Sequence, residues 1–111
     1  MTGRVFVVNE PLHRNARGGL ESKYDLTRAR SYGDLVPLLE GRVPLTLGPI
    51  ISMLRSKLRD FSDEDHLLAV GAPTAIAWAA VVAAQVNSGR IKILVWDRDS
   101  RSYISVAGAL T

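Results

Sequence analysis

Between His66 and Trp96 the chain reads HLLAVGAPTAIAWAAVVAAQVNSGRIKILVW. An apolar run leads into a Gly-Ala-Pro-Thr turn. A long alanine-rich stretch follows, then an Asn-Ser-Gly stop and a second apolar run. This is the pattern of strand, helix and strand. Parallel strands cannot be joined by a tight hairpin; they need a crossover, and a helix is the usual one. This one unit commits the chain to a parallel sheet with helices on its faces. It assigns no function.

The rest of the chain can be arranged around that unit. Val5 to Val8 is a continuous β-branched and aromatic run, the signature of a central buried strand. Residues 9–33 form a long polar connection carrying Gly18-Gly19. Segments of this length inside a small domain are functional or disordered. Its second half predicts a short helix, capped by Asp25 or Thr27 and closed by Gly33. Leu35 to Leu39 is a second strand, placed at a sheet edge because Pro37 lacks an N–H. Gly41 to Pro44 turns the chain. Leu47, Ile50, Ile51, Leu54, Leu58 and Phe61 then form one helical stripe. Thr46 is its N-cap, Pro49 sits in its first turn, and Ser52, Arg55, Ser56, Lys57 and Arg59 form the wet side.

Leu67 to Val70 is the third strand and Pro73 to Val86 the second helix, with Gly89 as its left-handed cap. Ile91 to Trp96 is the fourth strand. Asp97 to Ser100 turns into an antiparallel edge strand, Tyr103 to Val106. Trp78 and Trp96 both read as core. From Ala75 to Ala84 the second helix has no charged or amide side chain, so it shows no wet face. The surface it does not lay on the sheet, with Trp78 and Val81 or Val82, needs cover. Either the 9–33 segment or a second copy of the chain, in a homodimer, can supply it.

Right-handed crossovers leave few topologies. The expected fold is a single Rossmann-like, flavodoxin-like α/β domain over residues 1–111. Its strand order is 2-1-3-4-5, parallel except for the last strand. In such sheets ligands bind outside the carboxyl ends of the strands, where strand order reverses. That places Asn9, Glu10, Gly71 and Thr74 together as candidate ligand-binding residues, with Asp97 further along the same edge and Glu40 on the other side. The 9–33 segment leaves from this edge and carries Arg14, Arg17, Arg28 and Arg30, the candidate partner contacts.

Composition narrows the chemistry. The 111 residues contain no cysteine, so there is no disulfide framework and no thiolate nucleophile or ligand. That fits a reducing cytoplasm. VFVV is too short for the apolar region of a signal peptide, and Ala75 to Ala84 is about half of what a membrane-spanning helix needs. Net charge is +3, carried by scattered arginines rather than a dense stripe interleaved with aromatics, so nucleic-acid binding is expected to be weak. Gly71 to Thr74 has neither GxGxxG nor GxxxxGK[ST] and reads first as a tight turn, although a helix start can hold an anion. Asp63, Glu64, Asp65 and His66 read as a solvated acidic loop, and with His13 the only other histidine no metal site is expected. Asn9, Glu10 and Asp97 are the one possible acid–base cluster, and there is no GxSxG elbow. No catalytic residue and no cofactor are assigned.

The blocks VFVVN (Val5 to Asn9), DLTRARSYGDLV (Asp25 to Val36), DEDHLLAVGAPTAIAWA (Asp63 to Ala79) and IKILVWDR (Ile91 to Arg98) resemble small uncharacterised α/β proteins encoded by bacteriophages and related mobile elements. The resemblance covers most of the chain and carries no functional residue over. It implies an accessory role: modulating host machinery, countering host defence or assisting viral nucleic-acid metabolism. The expected function is therefore that of a phage-type binding protein contacting a partner protein in the host cytoplasm. The alternatives are a nucleotide or small-anion binder, or a hydrolase, at the carboxyl edge, and a weak nucleic-acid binder.

Overall fold

A computed structural model describes residues 3–10, 12–14, 16–18, 20–22, 26–40 and 48–110. For 12–14 and 20–22 it describes the backbone. The strands are β1 (Arg4–Glu10), β2 (Leu12–Arg14), β3 (Leu20–Ser22), β4 (Asp34–Glu40), β5 (His66–Leu68), β6 (Arg90–Asp97) and β7 (Ser102–Ala109). The helices are a 3₁₀ helix (Thr27–Tyr32), α1 (Gly48–Lys57) and α2 (Pro73–Val86).

The main sheet has five strands in the order β4-β1-β5-β6-β7. β1 lies parallel to β4 and β5, β5 parallel to β6, and β7 antiparallel to β6. This is the order read from the sequence, with the proline-bearing strand at one edge. Val5 to Asn9 are all buried, as a strand with neighbours on both sides and layers on both faces requires.

Alternation along β1 assigns the two faces. Phe6 and Val8 point to one layer, where α1 contributes Ile50 and Leu54, followed by Leu58 and Phe61, and α2 contributes Ala75, Ala79, Val82 and Ala83. Val5 and Val7 point to the other, where they meet Leu68 and Leu94 of the sheet, Tyr103 and the 3₁₀ helix through Leu26 and Ala29. The helices thus lie on both faces, as in a doubly wound fold.

Four expectations need correction. The first half of 9–33 is not an unstructured loop: β2 and β3 pair as an antiparallel hairpin. The 3₁₀ helix closes at Gly33, whose N–H bonds to the Arg30 carbonyl, but its N-cap position is Leu26 with no side-chain cap. Thr27 is inside the helix, and Asp25 lies outside the described residues. The 3₁₀ helix covers the face opposite α2, so it does not shield that helix; α1 packs against α2 instead, Val82 is buried, and Trp78 leans on the same core. Trp96 is not core. It is 45% exposed at the end of β6 and rests edge-on against Tyr103, ring centroids 5.1 Å apart.

Smaller differences concern element ends. α1 stops at Lys57, and Leu58 to Phe61 continue as tighter turns. Thr46, Leu47 and the Gly41 to Pro44 turn fall outside the described residues. β5 begins one residue earlier than expected, at His66, and ends at Leu68. α2 ends with the Gly89 N–H on the Ala84 carbonyl and Gly89 at φ +83°, the left-handed stop expected there.

The acidic loop is only partly solvated. Asp63 and Glu64 are exposed, but Asp65 and His66 are buried. The Asp65 carboxylate accepts from the Arg4 backbone N–H at 2.8 Å, from its guanidinium at 3.0 Å and from the Ser62 N–H at 2.8 Å. Arg4 also reaches Asp60 and lies over the Phe6 ring. This clamp ties the start of β1 to the turn before β5, at the amino edge of the sheet.

Candidate functional site

Strands β1, β4, β5 and β6 run the same way, so Glu10, Glu40, Leu68 and Asp97 end on one edge. Strand order reverses beside β1: the chain crosses to β4 through the hairpin and the 3₁₀ helix, then returns to β5 through α1. The carboxyl ends of β1 and β5 therefore mark the switch point.

Asn9 and Gly71 meet there. The Asn9 N–H bonds to the Val70 carbonyl at 3.1 Å, and its side-chain Oδ1 accepts from the Ala72 N–H at 2.9 Å. Gly71 has φ +99°, and a Cβ on it would run into the Asn9 backbone and side chain. Glycine is needed twice over, for the left-handed backbone and for the close approach. Asn9 thus fills the space over Gly71 and fixes the turn into α2. Ala72 is the N-cap residue of α2, without a side-chain cap, and Pro73 follows it. Thr74 is exposed on the first turn and Glu10 is half-buried at the end of β1.

Asp97 lies two strands away, at the end of β6. Its carboxylate accepts from the Ser100 hydroxyl at 2.7 Å and from the Ser100 and Asp99 N–H groups. The Ser100 hydroxyl bond leads in holding its carboxyl below the usual range. It is an ionised turn-former, and the structure does not bring it to Asn9 or Glu10.

The candidate arginines separate. Arg28 donates to the Arg101 carbonyl at 2.9 Å, which pins the 3₁₀ helix to the β6–β7 turn. Arg28 and Arg30 are both exposed on that helix, and Arg17 is exposed at the hairpin tip. The Arg14 side chain lies outside the described residues. Sequence reasoning missed Arg98, Arg101 and Trp96. Arg98 and Arg101 are exposed in the turn that Arg28 touches. Trp96 pairs across the strands with Tyr103, so it lies on the face that carries the 3₁₀ helix. The available signal was the strand's own alternation: Trp96 falls on the same face as Leu94, one step nearer the turn than a short helix can cover. The result is an exposed tryptophan beside a group of arginines.

The fold and this edge define a small doubly wound α/β protein of flavodoxin-like outline. A family model described as Phage Pam3 gp32-like protein matches residues 3–109, and the chain belongs to that family. It is thus of phage type, as the sequence blocks implied. No curated protein matches the chain, and no solved structure matches it.

Proposed function

We propose that this chain is a phage accessory binding protein that acts in the host cytoplasm by contact with a partner protein. The contact surface is the carboxyl edge around the β6–β7 turn. One observation carries this reading: exposed Trp96 lies with Arg28, Arg98 and Arg101 at one end of the sheet. Tryptophan and arginine dominate the energetics of protein interfaces. The groups that would serve catalysis are used otherwise, since Asn9 builds the turn into α2 and Asp97 builds its own turn. The arginines favour an acidic partner surface.

The same residues support a second reading. A tryptophan among arginines can stack a base and hold phosphates. Salt dependence separates the two, because each released counterion steepens the loss of nucleic-acid affinity with salt.

The test uses Arg98→Glu with Arg101→Glu, and separately Trp96→Ala, in the full chain. A partner captured from infected host cells should bind the tryptophan variant about 30-fold more weakly, roughly 2 kcal/mol. The double charge reversal should weaken it at least as much, and both variants should melt near the wild-type temperature. Unchanged binding by both variants refutes the surface. Steep salt-dependent binding to an oligonucleotide, lost in the same variants, transfers the function to nucleic acid.

A further inference from the structure

The two edges of the sheet are built differently. Unpaired strand edges invite pairing with other chains, and soluble proteins blunt them with charge, proline or bulges. Edge strand β4 carries exposed Asp34, Pro37 and Glu40. Edge strand β7 carries none of these devices. From Ser102 to Leu110 there is no charged side chain and no proline. Its pairing with β6 runs one-to-one from Arg90↔Ala109 to Asp97↔Ser102, without a bulge.

β7 is also flanked by exposed apolar side chains. Ile104, Val106 and, next to them on β6, Val95 are each between 42% and 52% exposed. They project from the face that carries α2, since Leu94, Tyr103 and the 3₁₀ helix occupy the other. Val81 of α2 and Leu110 continue the strip at 54% and 83% exposure. An apolar groove of about 370 Å³ runs between α2 and the end of β7, bordered by Val81, Gly108 and Leu110. A Cβ built on Gly108 would meet nothing within 4 Å.

We propose that β7 is a homodimer strand: two copies of this chain pair antiparallel along β7 about a two-fold axis, joining two five-stranded sheets into one. An antiparallel strand paired with itself is isologous, so one surface serves both copies. Charge permits a second copy as the occupant. The chain has a net charge of +3, and because Ser102 to Leu110 carries no charged side chain, two copies can touch along this strip without opposing like charges. Size favours it as well. Eight antiparallel residues span about 27 Å. With the flanking side chains the strip is on the order of 600 Å², the share each partner contributes to the smallest specific interfaces.

The side-chain alternation narrows the register, because directly opposed residues must share a face. An axis through Val106 sets it against Val106 of the second copy. It lays each Ile104 over Gly108 of the other copy, at the groove. Ser105 then opposes Ala107. No charged pair is created.

The chain has no cysteine, which permits a direct test. Wild-type protein in sedimentation equilibrium should show a species of twice 12.1 kDa that dissociates on dilution. Val106→Cys should form an intermolecular disulfide on mild oxidation, because opposed Cβ atoms lie about 5 Å apart. Arg55→Cys, exposed on α1, should not. Ile104→Lys with Val106→Lys should raise the dissociation constant about tenfold or more, through like charges facing each other. The outward amides of β7 should become more protected from hydrogen exchange as wild-type concentration rises, a readout that needs no variant. A 12.1 kDa species at every concentration overturns the proposal. So does a dimer that ignores the lysine variant, or one that crosslinks through Arg55→Cys and not Val106→Cys.

Discussion

Individual side chains show where local sequence reading stops. Asp65 looks like one more member of an acidic turn, yet it is buried because Arg4, distant in sequence, closes on it. No local pattern announces such a partner. Burial alone would raise the Asp65 pKa, but the bonds from Arg4 and Ser62 outweigh it and hold the carboxyl below its ordinary value. A depressed carboxyl pKa stabilises the fold above the unfolded value near 4, and that stability is lost as pH falls toward the folded value. Asp65→Ala should cost on the order of 3 kcal/mol by stranding the donors of Arg4 and Ser62. Denaturant unfolding measured from pH 7 down to 3 should show the variant losing less on acidification than wild type. Its neighbour His66 titrates in a higher window. Burial, then Lys92, holds its pKa below 6.5, against the pull of Asp65, and its Nδ1 is buried without a partner. The unfolded chain therefore takes up a proton that the fold resists, and stability declines as pH drops from 6.5 toward the folded value. His66→Gln should flatten that part of the melting-temperature profile, and an unchanged slope would contradict the assignment.

Secondary-structure elements were legible where hydrophobic pattern and punctuation agree. α2 runs from Pro73 to Val86 because proline starts it, Gly89 stops it and no charged or amide side chain interrupts it from Ala75 to Ala84. The order of the five main strands follows from crossover rules applied to four apolar runs and one alternating run. The β2–β3 hairpin was not legible, because LHR and LES are too short and too polar to show alternation. The far half of β7 was missed for a related reason: Ala107, Gly108 and Ala109 are small and give no hydrophobic signal, although they pair with Lys92 to Arg90. The site was half legible. Geometry of parallel sheets brings Asn9 to Gly71, but the exposed Trp96 depends on how little of its face a six-residue 3₁₀ helix can cover. Packing of α2 gives a sharp prediction. Ala79 is fully buried between the sheet and α1, so Ala79→Asp places an unpartnered carboxylate in the core. The cost, several kcal/mol against a total of about 5–15, should abolish cooperative melting or soluble expression. A wild-type melting temperature would show that α2 packs elsewhere.

At the scale of the whole molecule, the amino and carboxyl ends of the strands are built differently. The amino edge is closed by Arg4, Asp60 and Asp65, and Asp63 holds Arg90 and Asn87 there as well. The carboxyl edge gathers the switch point, the start of α2 and the β6–β7 turn, which Arg28 of the 3₁₀ helix reaches. Native-state hydrogen exchange should find the slowest amides in Val5 to Val8, the strand with neighbours on both sides and layers on both faces. Fast exchange there would contradict the strand order. None of the described helices is long and apolar enough to cross a membrane. The exposed side of α1 and the turn that follows it, with Arg55 and Arg59, is the competing interaction surface. The most direct test of the binding-protein reading is a hydrogen-exchange footprint of the full chain with its captured partner. Protection should appear in Thr27–Tyr32 and in residues 96–101, with α1 unchanged. A footprint confined to Arg55, Arg59 and their turn of chain, leaving residues 96–101 as fast as in the free protein, would contradict it.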